Sequence, residues 1–494
     1  MRAMETNALL LTAALAADSG WSWERTVRPA HPEPLAFGAA VASAGGALWI
    51  GPARDQDIGD GPPWASGLSI GAGPGLPERD SWQVAHPAAA RGAGFALALA
   101  AAPGLVLAGA PHAGCGRTGC DTGQAHLAVR GHDGAWTVAE VACPDPRERA
   151  MFGAAVATDG GTLVVASPRD GSAAWDAGTV DIYERDATQP AAPPRHVARL
   201  RSPAPAPSAR FGDAVAVAGD WIAIGEPGAN DPGGAAGGIA PGAVHLARRV
   251  GGTWSITASL RASAGDGGWL GAGLALAGED LVAGAPVARD PASGARTGAA
   301  LHFQCRDGAW TLRRVLRVPG LPAGAGLGSA VALSDGALAL GAPGDDRHGE
   351  DAGAAFVGSL RGGRLARIDA PSPAAGAGFG AGLAFGTASG WAPEGPRRFL
   401  AVASHLDPEV PPIPGAVELF GYREPEPVLL AGPAPCPAPP AVPPAASPPM
   451  SPPASHPASP QSRSASAIAI AADASVTRAG AHPAASSRAS ASGP

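Results

Sequence analysis

The chain has 494 residues, of which 46% are hydrophobic, and its formal net charge is −7. All 35 basic residues are arginine, and the arginines form no basic run. This charge distribution argues against nucleic acid as a partner. No apolar stretch reaches the roughly 20 residues that a membrane-spanning helix needs, so the sequence predicts no transmembrane segment.

The N-terminal segment, MRAMETNALLLTAALAADSG, has the pattern of a secretory signal. It combines one arginine, an apolar run over residues 8–17 and a small-residue Ala14-Leu15-Ala16 step. This pattern predicts a signal peptide over residues 1–18, and hence an extracellular, cell-surface or periplasmic location. The alternative interpretation is an ordinary N-terminal helix or an irregular leading segment.

One pattern returns throughout residues 19–424. An aromatic residue or leucine and a small residue open an apolar run, and a second apolar run ends in Gly-Ala-Pro or a close variant. The spacings between the opening residues are 58, 57, 59, 59, 57 and 52 residues. These residues are Phe37, Phe95, Phe152, Phe211, Leu270, Leu327 and Phe379. A fixed period of this size indicates a repeat architecture.

Each copy contains four short runs separated by Gly, Pro and Asp-Gly turns, as in Leu270–Val318. The first two runs are about 5 to 7 residues long, which is too short for helices. Asp307-Gly308, before the fourth run, indicates a tight hairpin. Meanders of this kind stack in a ring to hide both faces. The sequence therefore predicts an all-β fold, a seven-bladed β-propeller of four-stranded antiparallel blades.

The two ends of the repeat region complement each other. Trp21, Trp136 and Trp254 each stand 16 residues before the opening residue of the next copy. The segment at Trp21 is therefore a fourth strand without its first three, whereas the last copy has three strands and then two prolines. We predict that Trp21–Arg28 completes the last blade beside Ala416–Tyr422, which removes exposed sheet edges.

These repeats resemble FG-GAP repeats, which occur in the integrin α-subunit propeller and in many bacterial and algal surface proteins. The resemblance covers residues 21–424. Phe-Gly stands at Phe37, Phe152, Phe211 and Phe379, and Gly-Ala-Pro begins at Gly109, Gly284 and Gly341, with Ser167-Pro168 and Glu226-Pro227 as variants. The resemblance implies a secreted or surface-attached propeller that binds a protein or glycan ligand in adhesion or recognition, and we expect the propeller to be monomeric.

Integrin-type repeats carry an Asp-rich calcium loop between the first two strands. The corresponding turns here have one or two acids, too few for the about six to eight oxygens that calcium takes. The chain therefore resembles the calcium-poor branch of the family. Elsewhere, the loop GDDRHGEDAG is the best single candidate for a Ca²⁺ site, with Asp345, Asp346, Glu350 and Asp351 as its ligands.

Acidic and amide residues collect in the loops that follow Gly-Ala-Pro, which emerge on one face of the predicted propeller. They include Asp55, Asp57 and Asp176 and the predicted ligand-binding residues Asp170, Asn230, Asp231, Asp290 and Asp407. Together they would form a negative mouth for a cation or a basic ligand. The alternative is that Asp and Asn stand there because they favour turns.

The sequence contains no HExxH motif, close histidine pair or nucleophile elbow, so we expect a protein that is not an enzyme. Two alternatives are a propeller-fold polysaccharide hydrolase or lyase and a cell-wall structural protein. Cys115 and Cys120 share one loop, where we predict a disulfide, while Cys305 is expected to be a buried thiol. Residues 425–494, rich in Pro, Ala and Ser, are predicted to be a disordered tail.

Overall fold

The computed structural model describes residues 21–27, 37–52, 64–69, 81–85, 94–114, 120–186, 188–189, 192–229, 239–262, 267–392, 395–404 and 415–422. All the named regular elements in these ranges are β-strands, which confirms the all-β prediction. No helix in the described ranges is long and apolar enough to cross a membrane. The predicted signal peptide and tail lie outside the described residues.

The strands are short and regularly spaced. In chain order they are β1 (Trp21–Val27), β2 (Phe37–Ala44), β3 (Ala47–Pro52), β4 (Trp64–Ser69), β5 (Ser81–Ala85), β6 (Ala98–Ala102), β7 (Leu105–Ala110), β8 (Gln124–Arg130), β9 (Trp136–Val141), β10 (Ala155–Thr158), β11 (Thr162–Ser167), β12 (Thr179–Glu184), β13 (Arg195–Arg201), β14 (Val215–Ala218), β15 (Trp221–Glu226), β16 (Ala243–Val250), β17 (Thr253–Leu260), β18 (Leu274–Ala277), β19 (Asp280–Ala285), β20 (Ala299–Arg306), β21 (Ala309–Leu316), β22 (Val331–Ser334), β23 (Ala337–Ala342), β24 (Ala354–Ser359), β25 (Ala366–Ile368), β26 (Gly382–Ala392), β27 (Gly395–Ser404) and β28 (Ala416–Tyr422).

Hydrogen bonding groups these strands into seven four-stranded antiparallel sheets. Six sheets consist of four consecutive strands each, and the remaining sheet has the order β1-β28-β27-β26. The first strands of the sheets contact one another in a closed circle, in the order β2, β6, β10, β14, β18, β22, β26 and back to β2. The sheets therefore stand around a common axis, and the chain is a β-propeller.

The N-terminal strand closes this ring. β1 pairs antiparallel with β28, so that Trp21 lies opposite Tyr422 and Val27 opposite Val417. Trp21 is buried and its ring lies 5.8 Å from that of Phe385 and 5.1 Å from that of Tyr422. The predicted closure by the N-terminal strand is confirmed.

The hydrophobic core lies between neighbouring sheets. One cluster joins Ile182 of β12 to Ile222 of β15, with Phe211 between them. The other described opening side chains, those of Phe95, Phe152, Leu270, Leu327 and Phe379, are also fully buried. The opening residue of each copy therefore packs the sheets against each other, which explains why it is large and apolar.

The Phe-Gly and Gly-Ala-Pro motifs meet at the contact between neighbouring sheets. A Cβ atom on Gly284 would stand 1.8 Å from the carbonyl oxygen of Gly328, and one on Gly341 would stand 1.9 Å from that of Gly380. Gly328 and Gly380 have φ angles of 93° and 95°, a conformation that glycine adopts without strain. The backbones of adjacent sheets touch here, so the motif glycines are required by space and conformation together.

A third glycine, just before the third strand of a copy, completes this contact. Gly298 forms a parallel bridge with Leu327, and Gly353 forms one with Phe379. A Cβ on Gly298 would lie 2.4 Å from the backbone nitrogen of Leu327. Each copy is thus fastened to the opening residue of the next copy.

We predict that Gly284→Ala destabilises the propeller by about 1–3 kcal/mol or more, because the added methyl group must push two backbones apart. Gly161→Ala is the control, since its added Cβ would meet only the Asp159 carboxylate, at 3.8 Å, and its φ angle is not positive. Chemical denaturation of both variants measures the difference. Equal unfolding free energies for the two variants would show that the sheets do not depend on this contact.

Candidate functional site

One face of the propeller carries both the loops after Gly-Ala-Pro and the connections that lead to the next opening residue. Consecutive turns of an antiparallel meander alternate between its two ends, so these two sets of segments lie at the same end. They are hydrogen-bonded to each other: the Arg210 amide donates to Asp176 O (3.0 Å) and the Trp269 amide to Ala240 O (3.0 Å). We call this end of the propeller the motif face.

Two predicted ligand-binding acids lie in described loops of the motif face. Asp170 is 1% exposed, and its Oδ1 accepts the Ser172 amide at 2.8 Å. Asp290 accepts the Ser293 hydroxyl at 2.7 Å, and this hydrogen bond, with those from backbone amides, lowers the pKa of the Asp290 carboxyl. Both carboxylates thus organise their own loops, as the turn interpretation states. Asp55, Asp57, Asn230, Asp231 and Asp407 lie outside the described residues.

The predicted metal ligands are not brought together. Asp345 is buried, and both terminal nitrogens of the Arg367 guanidinium donate to its carboxylate. Asp346 accepts the Asp351 amide at 2.9 Å, and the Asp346, Glu350 and Asp351 side chains are exposed. Within the described residues no group of three or more His, Cys, Asp or Glu is close enough to hold a metal ion. The loop is held by an arginine instead.

The cysteines fall into two groups. Cys120 is buried and disulfide-bonded, whereas Cys143 and Cys305 are free. The partner of Cys120 therefore lies outside the described residues, as Cys115 does. Cys305 is buried, and burial raises the pKa of the Cys143 thiol. The expected buried thiol at Cys305 is confirmed.

Buried polar residues recur at one position of the third strands. His126, Asp181, His245 and Glu418 each stand three residues after the glycine that precedes the strand, and all four are buried. Arg199 binds Asp181 through Nε (2.9 Å) and Nη2 (2.8 Å). Such pairing is what burial of a charge requires.

Glu418 connects the N-terminal strand to the last sheet. Its Oε2 accepts the Trp23 indole N–H at 2.9 Å and the Thr26 hydroxyl at 2.7 Å. The ring closure therefore has a polar contact in addition to the apolar packing of Trp21. The sequence did not indicate this role, because the partners are more than 390 residues apart in the chain.

Three side chains in the sheet of β14 to β17 form a hydrogen-bonded chain that could carry acid–base chemistry. His245 Nε2 lies 2.7 Å from Glu226 Oε2, and His245 Nδ1 lies 2.8 Å from the Ser259 hydroxyl. Glu226 and His245 are buried, while Ser259 is exposed. Glu226 replaces the alanine of Gly-Ala-Pro. Because this position is otherwise small and buried, a glutamate there indicates that its carboxylate has a hydrogen-bonding partner in the folded protein.

The exposed features of the motif face are aromatic rings and arginines that sequence analysis did not single out. Trp175 is 60% exposed, and the Arg149 guanidinium lies over its ring at 5.0 Å from the centroid. Trp269 is 46% exposed and has a φ angle of 59°. Three other copies have glycine at the position of Trp269, immediately before the opening residue: Gly94, Gly326 and Gly378. Tryptophan in place of this glycine marks position 269 as unusual in the sequence itself.

No family model matches the chain, and no curated protein matches it. Among solved structures, the chain is similar to the WD40 domain of Pan2 from Neurospora crassa, with 10% identity and a TM-score of 0.44, over 82% of this chain and 96% of that domain. The resemblance to FG-GAP repeats stays a prediction from the motifs.

The motif face also contains a titratable group that opposes folding at neutral pH. Asp213 follows Phe211-Gly212, and burial raises the pKa of its carboxyl despite an ion pair with Arg210 at 2.7 Å. A raised pKa in the folded state means that stability is lost as the pH rises through that value. The pKa of the Asp290 carboxyl is lowered in the folded state, so the stability that this group contributes is lost as the pH falls.

We predict opposite pH dependences for two isosteric variants. The Tm of Asp213→Asn relative to the unaltered protein should be higher at about pH 7 than at about pH 4, because the variant has no buried carboxyl to ionise. The relative Tm of Asp290→Asn should be lower at about pH 7 than at about pH 4. Thermal unfolding at both pH values checks both signs. Parallel shifts for the two variants would contradict the assignment.

Proposed function

We propose that the chain is a non-catalytic propeller that binds a protein or glycan ligand through its motif face. In line with the FG-GAP resemblance, we propose that it acts in adhesion or recognition as a secreted or surface-attached protein. The observation that carries the proposal is the exposure of Trp175 and Trp269 on this face, beside arginines. Tryptophan and arginine are the residues most enriched among those that dominate binding energy.

The placement of these side chains supports a binding role. Trp175 follows the buried turn at Asp170, and the Ser208 amide of the next connection donates to its carbonyl at 2.7 Å. The Arg149 guanidinium lies over its ring, so the ring is held on one side. A side chain that is already ordered loses less conformational entropy when it binds a ligand. The loop is thus suited to contact a partner while a rigid scaffold holds it.

A hydrolase is the second candidate, and the Ser259–His245–Glu226 chain is the observation that favours it. The Ser259 hydroxyl can transfer its proton to His245 Nδ1 while Glu226 stabilises the resulting imidazolium at Nε2. Ester groups on a polysaccharide are the substrates that this chemistry would cleave. In the sheet of β10 to β13 the same register holds the Asp181–Arg199 ion pair, which has no serine nucleophile, so we rank this candidate second.

The binding proposal predicts a specific loss when the exposed rings are removed. In a glycan array and a panel of purified extracellular proteins, the double variant Trp175→Ala/Trp269→Ala should bind its ligand at least about tenfold more weakly, a loss of about 1.4 kcal/mol. Val250→Ala is the control, because Val250 is 62% exposed and stands at the opposite end of β16 from the motif face. Ligand binding that is equal in all three proteins would contradict the proposal.

We predict that the protein does not react with a fluorophosphonate at Ser259. Mass spectrometry of the labelled full-length chain locates any adduct, and hydrolysis of p-nitrophenyl acetate by Ser259→Ala and His245→Asn is compared with that by the unaltered protein. The rates should be equal for all three proteins. An adduct on Ser259, together with slower hydrolysis by both variants, would establish the hydrolase in place of the binding protein.

A further inference from the structure

A groove on the motif face offers a more specific assignment. It has a volume of about 670 Å³ and lies between the loop after β19 and the connection from β21 to β22. Its lining includes Trp269, Pro286, Arg289, Arg296, Gly324 and Ser329. Trp269 comes from the connection before β18, so three segments of the motif face contribute to one groove.

The charge of the groove is positive. The guanidinium of Arg289 donates to the Gly294 carbonyl at 2.7 Å, a neutral acceptor that leaves its charge in place. Arg296 is the second arginine of the lining. Outside the lining, Arg317 donates to the Arg289 carbonyl at 3.2 Å, and its charge acts on the nearby Asp290 carboxylate, so these two groups add no net charge. The two lining arginines therefore give the groove a positive charge that an anionic ligand can meet.

Trp269 is held in an unfavourable conformation with its ring exposed. Its φ angle is 59°, and the residues at the same position of two other copies, Met151 and Arg210, have φ angles of 57° and 58°, so the repeat itself imposes this conformation. The amide of Trp269 donates to Ala240 O at 3.0 Å, so the backbone of the preceding loop fixes this conformation. What distinguishes Trp269 is its large ring, which is 46% exposed and so contributes little to folding. The arrangement is explained if the ring is presented to a ligand.

We propose that this groove binds an acidic polysaccharide. A sugar ring stacks on the indole of Trp269, and carboxylate or sulfate groups of the polymer pair with Arg289 and Arg296, which can bind such groups with two parallel hydrogen bonds. The inference rests on the proposed function, because it names the ligand class of the same face. It also places the acidic polysaccharide at the fifth copy of the repeat.

The lining favours a polysaccharide over an acidic peptide or the chain's own tail. Pro286, Ala323, Gly324 and Gly326 line an open groove, not the enclosed pocket in which the anchoring side chain of a peptide is buried. A flat sugar ring needs no such pocket. The proline-rich segment 425–494 carries three arginines and two acids, so its charge has the same sign as the groove.

The test measures binding of four polymers to the full-length protein by calorimetry. Polygalacturonate and dextran sulfate should bind, with an affinity that falls as salt is added, whereas neutral dextran and poly-glutamate should not. The first two polymers distinguish uronate from sulfate recognition. Absence of binding to both acidic polysaccharides, or tighter binding of poly-glutamate than of either, overturns the inference.

Variants locate the site and separate it from a structural role. Arg289→Ala/Arg296→Ala should weaken binding at least about tenfold. Arg306→Ala/Arg364→Ala, which removes the same charge from the opposite face, should have little effect. Trp269→Gly should weaken binding to the same degree while its Tm equals or exceeds that of the unaltered protein, because glycine relieves the strain. Equal losses in the two double arginine variants would overturn the groove assignment.

The outcome also distinguishes this inference from the proposed function. If Trp269→Gly binds normally and Trp175→Ala loses a ligand found on the glycan array, the groove assignment is wrong and the binding function stands. If neither tryptophan substitution changes the binding of any ligand, the groove assignment and the proposed binding function are both wrong.

Discussion

The close approach of backbone to backbone between neighbouring sheets is the constraint on which the rest of this structure depends. Gly284 lies where a Cβ would stand 1.8 Å from Gly328 O, and Gly298 is bridged to Leu327 at the same boundary. The approach brings the opening residue fully into the space between sheets, where its burial stabilises the contact. The Phe-Gly and Gly-Ala-Pro motifs are therefore two halves of one packing interface, contributed by successive copies.

The same constraint explains why buried charges in this fold are paired rather than available. Small residues occupy most positions near the glycine contact, so a larger polar residue such as Glu226 must find its partner inside the sheet, as it does in His245. Removing one member of such a pair leaves an unpaired buried charge, although the pair itself need not stabilise the fold relative to apolar residues. Asp345, which binds Arg367, belongs to this structural group. Asp170 is buried too, where its carboxylate accepts the Ser172 amide and lies 3.9 Å from Arg147 Nε.

The strands, their antiparallel order and the closure by Trp21–Val27 could be predicted because each depends on local periodicity or on fixed spacing. The burial and the hydrogen-bond partners of the acidic residues could not be predicted. Asp345 is held by Arg367, which is 22 residues further on in the chain, and no local pattern indicates that pair. The sequence marks Trp269 as unusual only when the residues before the opening positions of all copies are compared. Its φ angle and the exposure of its ring cannot be predicted from that comparison. Loop composition alone suggested a negative surface, whereas burial and pairing decide which charges a ligand meets.

The two faces of the propeller differ in how much variation they can accept. On the face opposite the motif face, ten residues join β12 to β13, but other strands are joined by two-residue turns, since Val250 pairs with Thr253 and Arg306 with Ala309. Such turns leave no room for inserted side chains that reach a partner. The loops of the motif face are longer, and they begin and end at the rigid glycine contacts between sheets. Changes in these loops alter the exposed surface without moving the sheets, so ligand recognition in this chain is expected there.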